Sequence, residues 1–493
     1  PTENLVIWFQ DAPVPADLPL VAPVPGATTS PTLPPLGTPA PAPGTTDQVA
    51  GKPPAANPVM WPPAPEKPKQ PLTLSARSVE VHVWRSGSKN ELDRLWCEGT
   101  VHVHQDPETP EDKGTDIQGD TMQLNNAPEG AILVVNGKLA NVQFNKMAIL
   151  GPEVNIDQRS NRAWVNGIGA MIVLSETNFD GVKRAQPTEM TIQWKEGMNF
   201  YGKNAEFRGG VQATQENSRL LCQEMQVAFD RPISLKEGNK GGPSPQVALL
   251  LCDRSVQIEE VTLQAQKLAG YKRLVAPVVD INNTEKTVNA SGPGEVRLFQ
   301  LGPVDDTGPK GPSVSAKPPP SASGAPPNPP AGAKDGKEEF KITHVRFKGK
   351  MWGKNKESRT VTFIDDVEVV HVPSEKPDLV IDIDRLPPGC MYLRCEKLTV
   401  LTTALPNGRS NQEMVAQHKV YVKSQDFEGI AETVKYDEAQ DRIIFEGGEN
   451  GKAILYRVKT AGGVQDNVIA NKITYWRRTN DMKVDYASGL TTH

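Results

Sequence analysis

The chain has 493 residues, 45 of them proline, and its 54 Lys and Arg against 59 Asp and Glu give a net charge of −5. No Gly-X-Y period runs through it, no block of five basic residues occurs, and no apolar run nears the ~18 residues of a membrane helix. Collagen, a dedicated nucleic-acid binder and a helical membrane protein are excluded on these grounds.

The prolines are local, with 20 in residues 1–71 and 10 in residues 303–330. Residues 1–71 therefore read as a Pro-rich disordered arm, since proline fixes φ and removes a donor. Residues 302–337 repeat that composition and read as a Pro-rich linker. The chain starts at Pro1, so a trimmed product is expected, with any signal peptide or membrane anchor lying ahead of it.

Elsewhere apolar residues alternate with polar ones. Val79, Val81 and Val83 do so, as do Val101 and Val103 around His102, Met225, Val227 and Phe229, and Leu379, Ile381 and Ile383. Period two predicts half-buried strands. Ala431–Ile443 has helical propensity, but its internal copies make it strand, turn, strand. Those copies are Val154–Gly169, Val279–Gly294, Val434–Gly447 and Ile473–Gly489. Each is an alternating strand, a polar turn rich in Asp and Asn, a second strand and a glycine. A second shared piece is Phe207-Arg-Gly-Gly-Val211 with Leu221–Val227, matched by Phe363-Ile-Asp-Asp-Val367 with Leu393–Val400. The order of these pieces defines three β units, at 72–185, 188–301 and 338–493.

Signatures of catalysis are missing: there is no H-E-x-x-H, G-x-S-x-G or P-loop. His102-x-His104 puts two imidazoles on one strand face with no carboxylate at an obvious ligand spacing, so a solvated face is expected. Asp365-Asp366 and Asp382-x-Asp384 read as acids facing water at strand ends or along a strand. The five cysteines read as half-buried inert thiols, with a Cys390–Cys395 pair left open. Trp84, Trp96, Trp164, Trp194, Trp352 and Trp476 are expected to fill cores or edges. No catalytic, cofactor-binding or metal-binding residue is assigned. An inner apolar sheet face is expected to be either dry core or a groove for acyl chains.

Glu98-Gly-Thr-Val-His-Val103 followed by Ile117-Gln-Gly-Asp-Thr-Met-Gln-Leu124 resembles the opening of an OstA/LptA-type unit. Phe207–Ala213 with Cys222–Val227 is similar, with Gln223-Glu224 in place of an Ala-Asp pair. Gly429–Gly447, Gly451–Leu455 and Ile469–Tyr475 continue the resemblance through the third unit. It implies an all-β fold of tandem rolled antiparallel sheets, jelly-roll-like and V-shaped. It also implies a periplasmic or cell-envelope location and no enzymatic activity or cofactor. The implied ligand is lipopolysaccharide or another acylated amphiphile, and the implied protein partners join edge to edge by strand pairing. On alternation, the inward, lipid-facing positions are Val101, Val103, Met122, Leu124, Val211, Met225, Val227, Val367, Leu398 and Val400. The rival expectations are a structural or adhesive envelope β-repeat without a lipid ligand, and a metal- or carboxylate-based enzyme on a β-barrel.

Overall fold

The computed structural model describes residues 5–7, 71–303 and 338–491, apart from short intervals in loops such as 237–244 and 381–389. Among the described residues every regular element is a β-strand, and all strands belong to one hydrogen-bonded antiparallel sheet. The described residues form no helix long and apolar enough to cross a membrane.

The sheet opens with β1 (Leu5–Ile7), β2 (Leu72–Ser75) and β3 (Ser78–Ser86). Four long strands follow: β4 (Lys89–Gln105), β5 (Thr115–Asn125), β6 (Ile132–Phe144) and β7 (Met147–Asp157). Then come β8 (Arg162–Asn166), β9 (Gly169–Thr177), β10 (Lys183–Trp194) and β11 (Gly197–Tyr201). One end of β7 pairs with β8 and the other with β9, so the sheet divides into two walls there. β8 pairs with β11 in wall A, and β9 with β10 in wall B. Long strands resume with β12 (Asn204–Gln215), β13 (Ser218–Phe229), β14 (Val247–Gln264) and β15 (Lys267–Asn282).

The cycle then repeats. β16 (Thr287–Ser291), β17 (Gly294–Pro303), β18 (Glu338–Phe347) and β19 (Lys350–Asn355) each occupy one wall. Long strands β20 (Arg359–Pro373), β21 (Met391–Ala404), β22 (Ser410–Ser424) and β23 (Phe427–Asp437) follow. The sheet closes with β24 (Arg442–Glu446), β25 (Ala453–Val458), β26 (Gln465–Trp476) and β27 (Asp481–Thr491). About twenty strands per wall at roughly 4.8 Å each make a stack on the order of 90 Å long.

All four repeated hairpins take the expected form, as β7–β8, β15–β16, β23–β24 and β26–β27. The glycine that ends the first two has a packing cause. Gly169 lies opposite Trp194 and Gly294 opposite Phe347. A Cβ at either would meet the ring at 2.6 Å and 2.5 Å respectively, closer than real contacts allow. The junction near 185–188 falls inside β10, and Gly302 and Pro303 belong to β17. The strands flanking the second Pro-rich segment pair directly, Pro303 opposite Glu338, so the sheet is continuous across it. Most of the N-terminal arm and of that segment lies outside the described residues. Within the arm, Leu5–Ile7 pairs with Leu72–Leu74, against the expectation of an unpaired tail.

The two walls meet along one crease. Register shifts fall at the same level in successive long strands: between Glu98 and Val101, Gln118 and Thr121, Arg208 and Val211, Asp253 and Val256, Ile364 and Val367, and Gln417 and Val420. Pairs of left-handed residues occupy five of these six bulges: Gly99-Thr100, Gly209-Gly210, Arg254-Ser255, Asp365-Asp366 and His418-Lys419. A bulge bends its strand, and bulges aligned across neighbours bend the whole sheet. Asp365-Asp366 is thus the fold point of β20, in mid-strand and not at a strand end. It matches Gly209-Gly210 because both hold the same backbone turn. Ion pairs run along the outside of the crease: Glu224 with Arg254, Asp366 with Lys348 and Arg394, Glu396 with Lys419, and Glu432 with His418.

Thr100 is the costliest of these residues, a β-branched side chain at φ +52°. Thr100→Gly is expected to raise stability by about 1 kcal/mol. A urea midpoint that stays put or falls would show that no strain resides there.

The inward side chains of both walls merge into one apolar core that runs from Leu74 to Tyr475. A second, smaller cluster lies on the outer face of wall B, where Phe299, Ile342, Val370 and Val372 pack with Tyr392 and Cys390. Leu379 helps cover it from the β20–β21 connection, whose carbonyls at Pro377 and Leu379 accept from Arg297. Leu379 is therefore not in the strand its alternation predicts, and Ile381, Ile383, Asp382 and Asp384 lie outside the described residues.

His344 borders that cluster, with Nε2 3.1 Å from Glu295 Oε2. Burial holds its pKa below the ordinary imidazole value, outweighing the upward pull of Glu295. The unfolded chain then binds the proton more readily than the folded one. Stability is full above the unfolded value of about 6.5 and falls as pH drops below it. His344→Gln is expected to flatten the dependence of the denaturation midpoint between pH 7.5 and 5.5. Identical pH profiles for both proteins would contradict this.

All five cysteines are buried and free, so no Cys390–Cys395 bond forms. Burial raises the Cys97 thiol to about 11 and Cys395 to about 12, which keeps them inert. Trp194 is sealed in the core, whereas Trp84, Trp96 and Trp352 alternate onto outward faces and are exposed.

Candidate functional site

The feature with functional potential is the seam between the walls. All ten predicted inward positions line it. Val101, Val103, Val211 and Val367 lie on the wall B side of the crease, and Met122, Leu124, Met225, Val227, Leu398 and Val400 on the wall A side. Eight are shut from solvent, while Leu124 and Val400 are half-buried. They face inward together because alternate side chains of a strand point to the same side of the sheet.

Sealing is not uniform. Beside the crease aromatic pairs fill the interior. Trp194 meets Phe207 at 5.4 Å, Phe347 meets Phe363 at 5.7 Å, and Phe427 touches Phe445 and Tyr475. Trp194 is in the core, one of the two places expected for it, whereas the phenylalanines and Tyr475 are not singled out as core by the sequence, although they obey the same alternation. Toward the free margins, between β14 and β22, the inward apolar side chains are half-buried. Ile258, Leu274, Val296 and Val369 show this on wall B, and Val288, Val361, Val400 and Met414 on wall A. Beyond them wall B turns polar, with Glu260 paired to Lys272 at 3.0 Å and Thr343 bonded to His371. The seam is thus apolar at the crease, partly wetted midway and polar at the rim.

At the N-terminal end of the stack the strip runs out to water. Val81 and Val83 on β3 are 36% and 52% exposed, in place of the half-burial that their alternation predicts. β3 is an outermost strand whose one partner among the described residues is β4, so no further strand covers its inward face. At the other end β27 pairs with β26 alone among the described residues. Among the described residues both ends therefore present open strand edges.

A second cluster lies on the outer face of wall B. His102, His104 and Asp116 project from β4 and β5, with His104 and Asp116 directly opposed in register. Asp116 Oδ2 lies 3.0 Å from His102 Nε2 and 3.3 Å from His104 Nδ1. Asp116 is the carboxylate that the sequence spacing does not reveal, because it arrives through the β4–β5 register. The hydrogen bonds of Asp116 and Asp106 raise the His104 pKa.

Searches with protein-family models and against curated proteins find no match for this chain.

Proposed function

We propose that the protein is a non-enzymatic carrier of an acylated amphiphile in the bacterial cell envelope, lipopolysaccharide or a chemically similar lipid. The observation that carries this reading is the apolar seam, which runs through one uninterrupted creased sheet and turns polar at its rim. Acyl chains would take the half-buried inward positions between β14 and β22, and the saccharide or phosphate head would stay at the rim. Each CH₂ removed from water contributes about 0.8 kcal/mol, so a few chains give firm binding without chemistry. The resemblance of the strand motifs to OstA/LptA-type units points the same way, as do the open edges at β3 and β27, which suit strand pairing with other transport components. A periplasmic location belongs to the same proposal.

Full-length protein mixed with lipopolysaccharide, and separately with its deacylated saccharide, tests this by native mass spectrometry. The expected result is a complex with the acylated form alone. Failure to retain either would favour the second reading, a structural β-repeat with a dry core. The sealed positions beside the crease favour that second reading.

A further inference from the structure

We propose that His102, His104 and Asp116 form a binding site for a divalent transition-metal ion of the zinc type, on the outer face of wall B and separate from the seam. One nitrogen from each ring and one carboxylate oxygen lie within 4.8 Å of one another. The two nitrogen-to-oxygen separations are 3.0 Å and 3.3 Å. A tetrahedral ion with bonds near 2.0–2.1 Å needs its ligand atoms roughly 3.3 Å apart. Both separations to Asp116 meet that spacing, and the two imidazole nitrogens, within 4.8 Å of each other, need only a small rotation of these exposed rings to do so.

The surroundings orient the ligands as metal sites require. His104 Nε2 faces Asp106 Oδ1 at 3.3 Å, which leaves Nδ1 turned toward Asp116. An imidazole that donates its far N–H to a carboxylate is the usual support of a metal-bound histidine. The other oxygen of Asp116 accepts from Gln118 Nε2 at 2.8 Å, which leaves Oδ2 for the ion. Two imidazoles and one carboxylate select zinc-like ions over calcium or magnesium, which take oxygen ligands. A shallow depression of about 430 Å³ adjoins the cluster, lined by Thr100, His102, Gln118 and Lys138 among others.

Tag-free full-length protein, stripped with EDTA and titrated calorimetrically with Zn²⁺, tests the site. Wild type is expected to bind one ion per chain. His104→Gln and Asp116→Asn should lose that stoichiometric binding while keeping the β circular-dichroism signal, since both side chains point to water. Asp106→Asn should retain one ion with affinity lowered about 10–100-fold. His82→Gln, which alters a histidine elsewhere on the surface, should leave binding unchanged. The proposal is overturned if wild type binds Zn²⁺ no more tightly than the His102→Gln/His104→Gln variant, or if Ca²⁺ competes equally.

Discussion

Phe207→Ala is expected to cost about 3–5 kcal/mol of stability. The ring is 1% exposed, packs on Trp194 at 5.4 Å and lies opposite Met225 on β13. It also precedes the left-handed pair Gly209-Gly210, so it fills the angle where β12 folds from wall A into wall B. A cavity at that point cannot collapse without moving the crease. Because a stack of strands is close to one-dimensional, the loss should fall first on β10 to β13 and reach distant strands less. Hydrogen exchange on wild type and variant reads this directly. The control is Trp84→Ala at an outward position that is 69% exposed, expected to shift stability by less than about 0.5 kcal/mol. Similar exchange profiles for the two variants would mean that the aromatic fill does not hold the walls together.

The second large effect concerns ligand binding. Val361 and Val400 oppose each other on β20 and β21 and are both half-buried on the inward face. Replacing both with aspartate puts two charges on wall A of the seam while sparing the sealed core. If acyl chains lie there, losing contact with even two CH₂ groups costs about 1.6 kcal/mol, a drop of at least about tenfold in affinity. Thr362 and Thr399 oppose each other on the outward face of the same strands, with their hydroxyls 3.2 Å apart. The Thr362→Asp/Thr399→Asp variant changes charge equally and should bind the amphiphile as wild type does. Equal loss in both variants would assign the effect to net charge and not to the seam.

Much of this architecture is legible in the sequence, for a physical reason. Side chains in a strand alternate faces, so one buried face writes a period of two, and turns write Asp, Asn and Gly between strands. That suffices for the four repeated hairpins and for the ten inward positions. The crease is harder to read, because its signal is a backbone conformation met by unlike residues. Gly209-Gly210 shows the usual mark of a left-handed pair, whereas Arg254-Ser255 and His418-Lys419 show none. Only the repeat alignment, which sets Asp365-Asp366 against Gly209-Gly210, hints at a shared role. The histidine cluster is hidden for another reason. His102 and His104 are two residues apart in sequence, but Asp116 joins them only once the β4–β5 register is fixed. Leu379 and Trp84 mark the limit of pattern reading, since alternation does not say whether a strand forms or what covers its outer face.

Acyl chains held in the seam should be reachable from its inward side chains and from no outward one. The most direct measurement is site-specific photocrosslinking from Val400 in the full-length protein, expressed in cells that make lipopolysaccharide, with Thr399 as the outward neighbour. A lipid adduct is expected from Val400, and likewise from Val361 and Met414, with none from Thr399. Absence of an adduct from every inward position, or equal adducts from Val400 and Thr399, would contradict it.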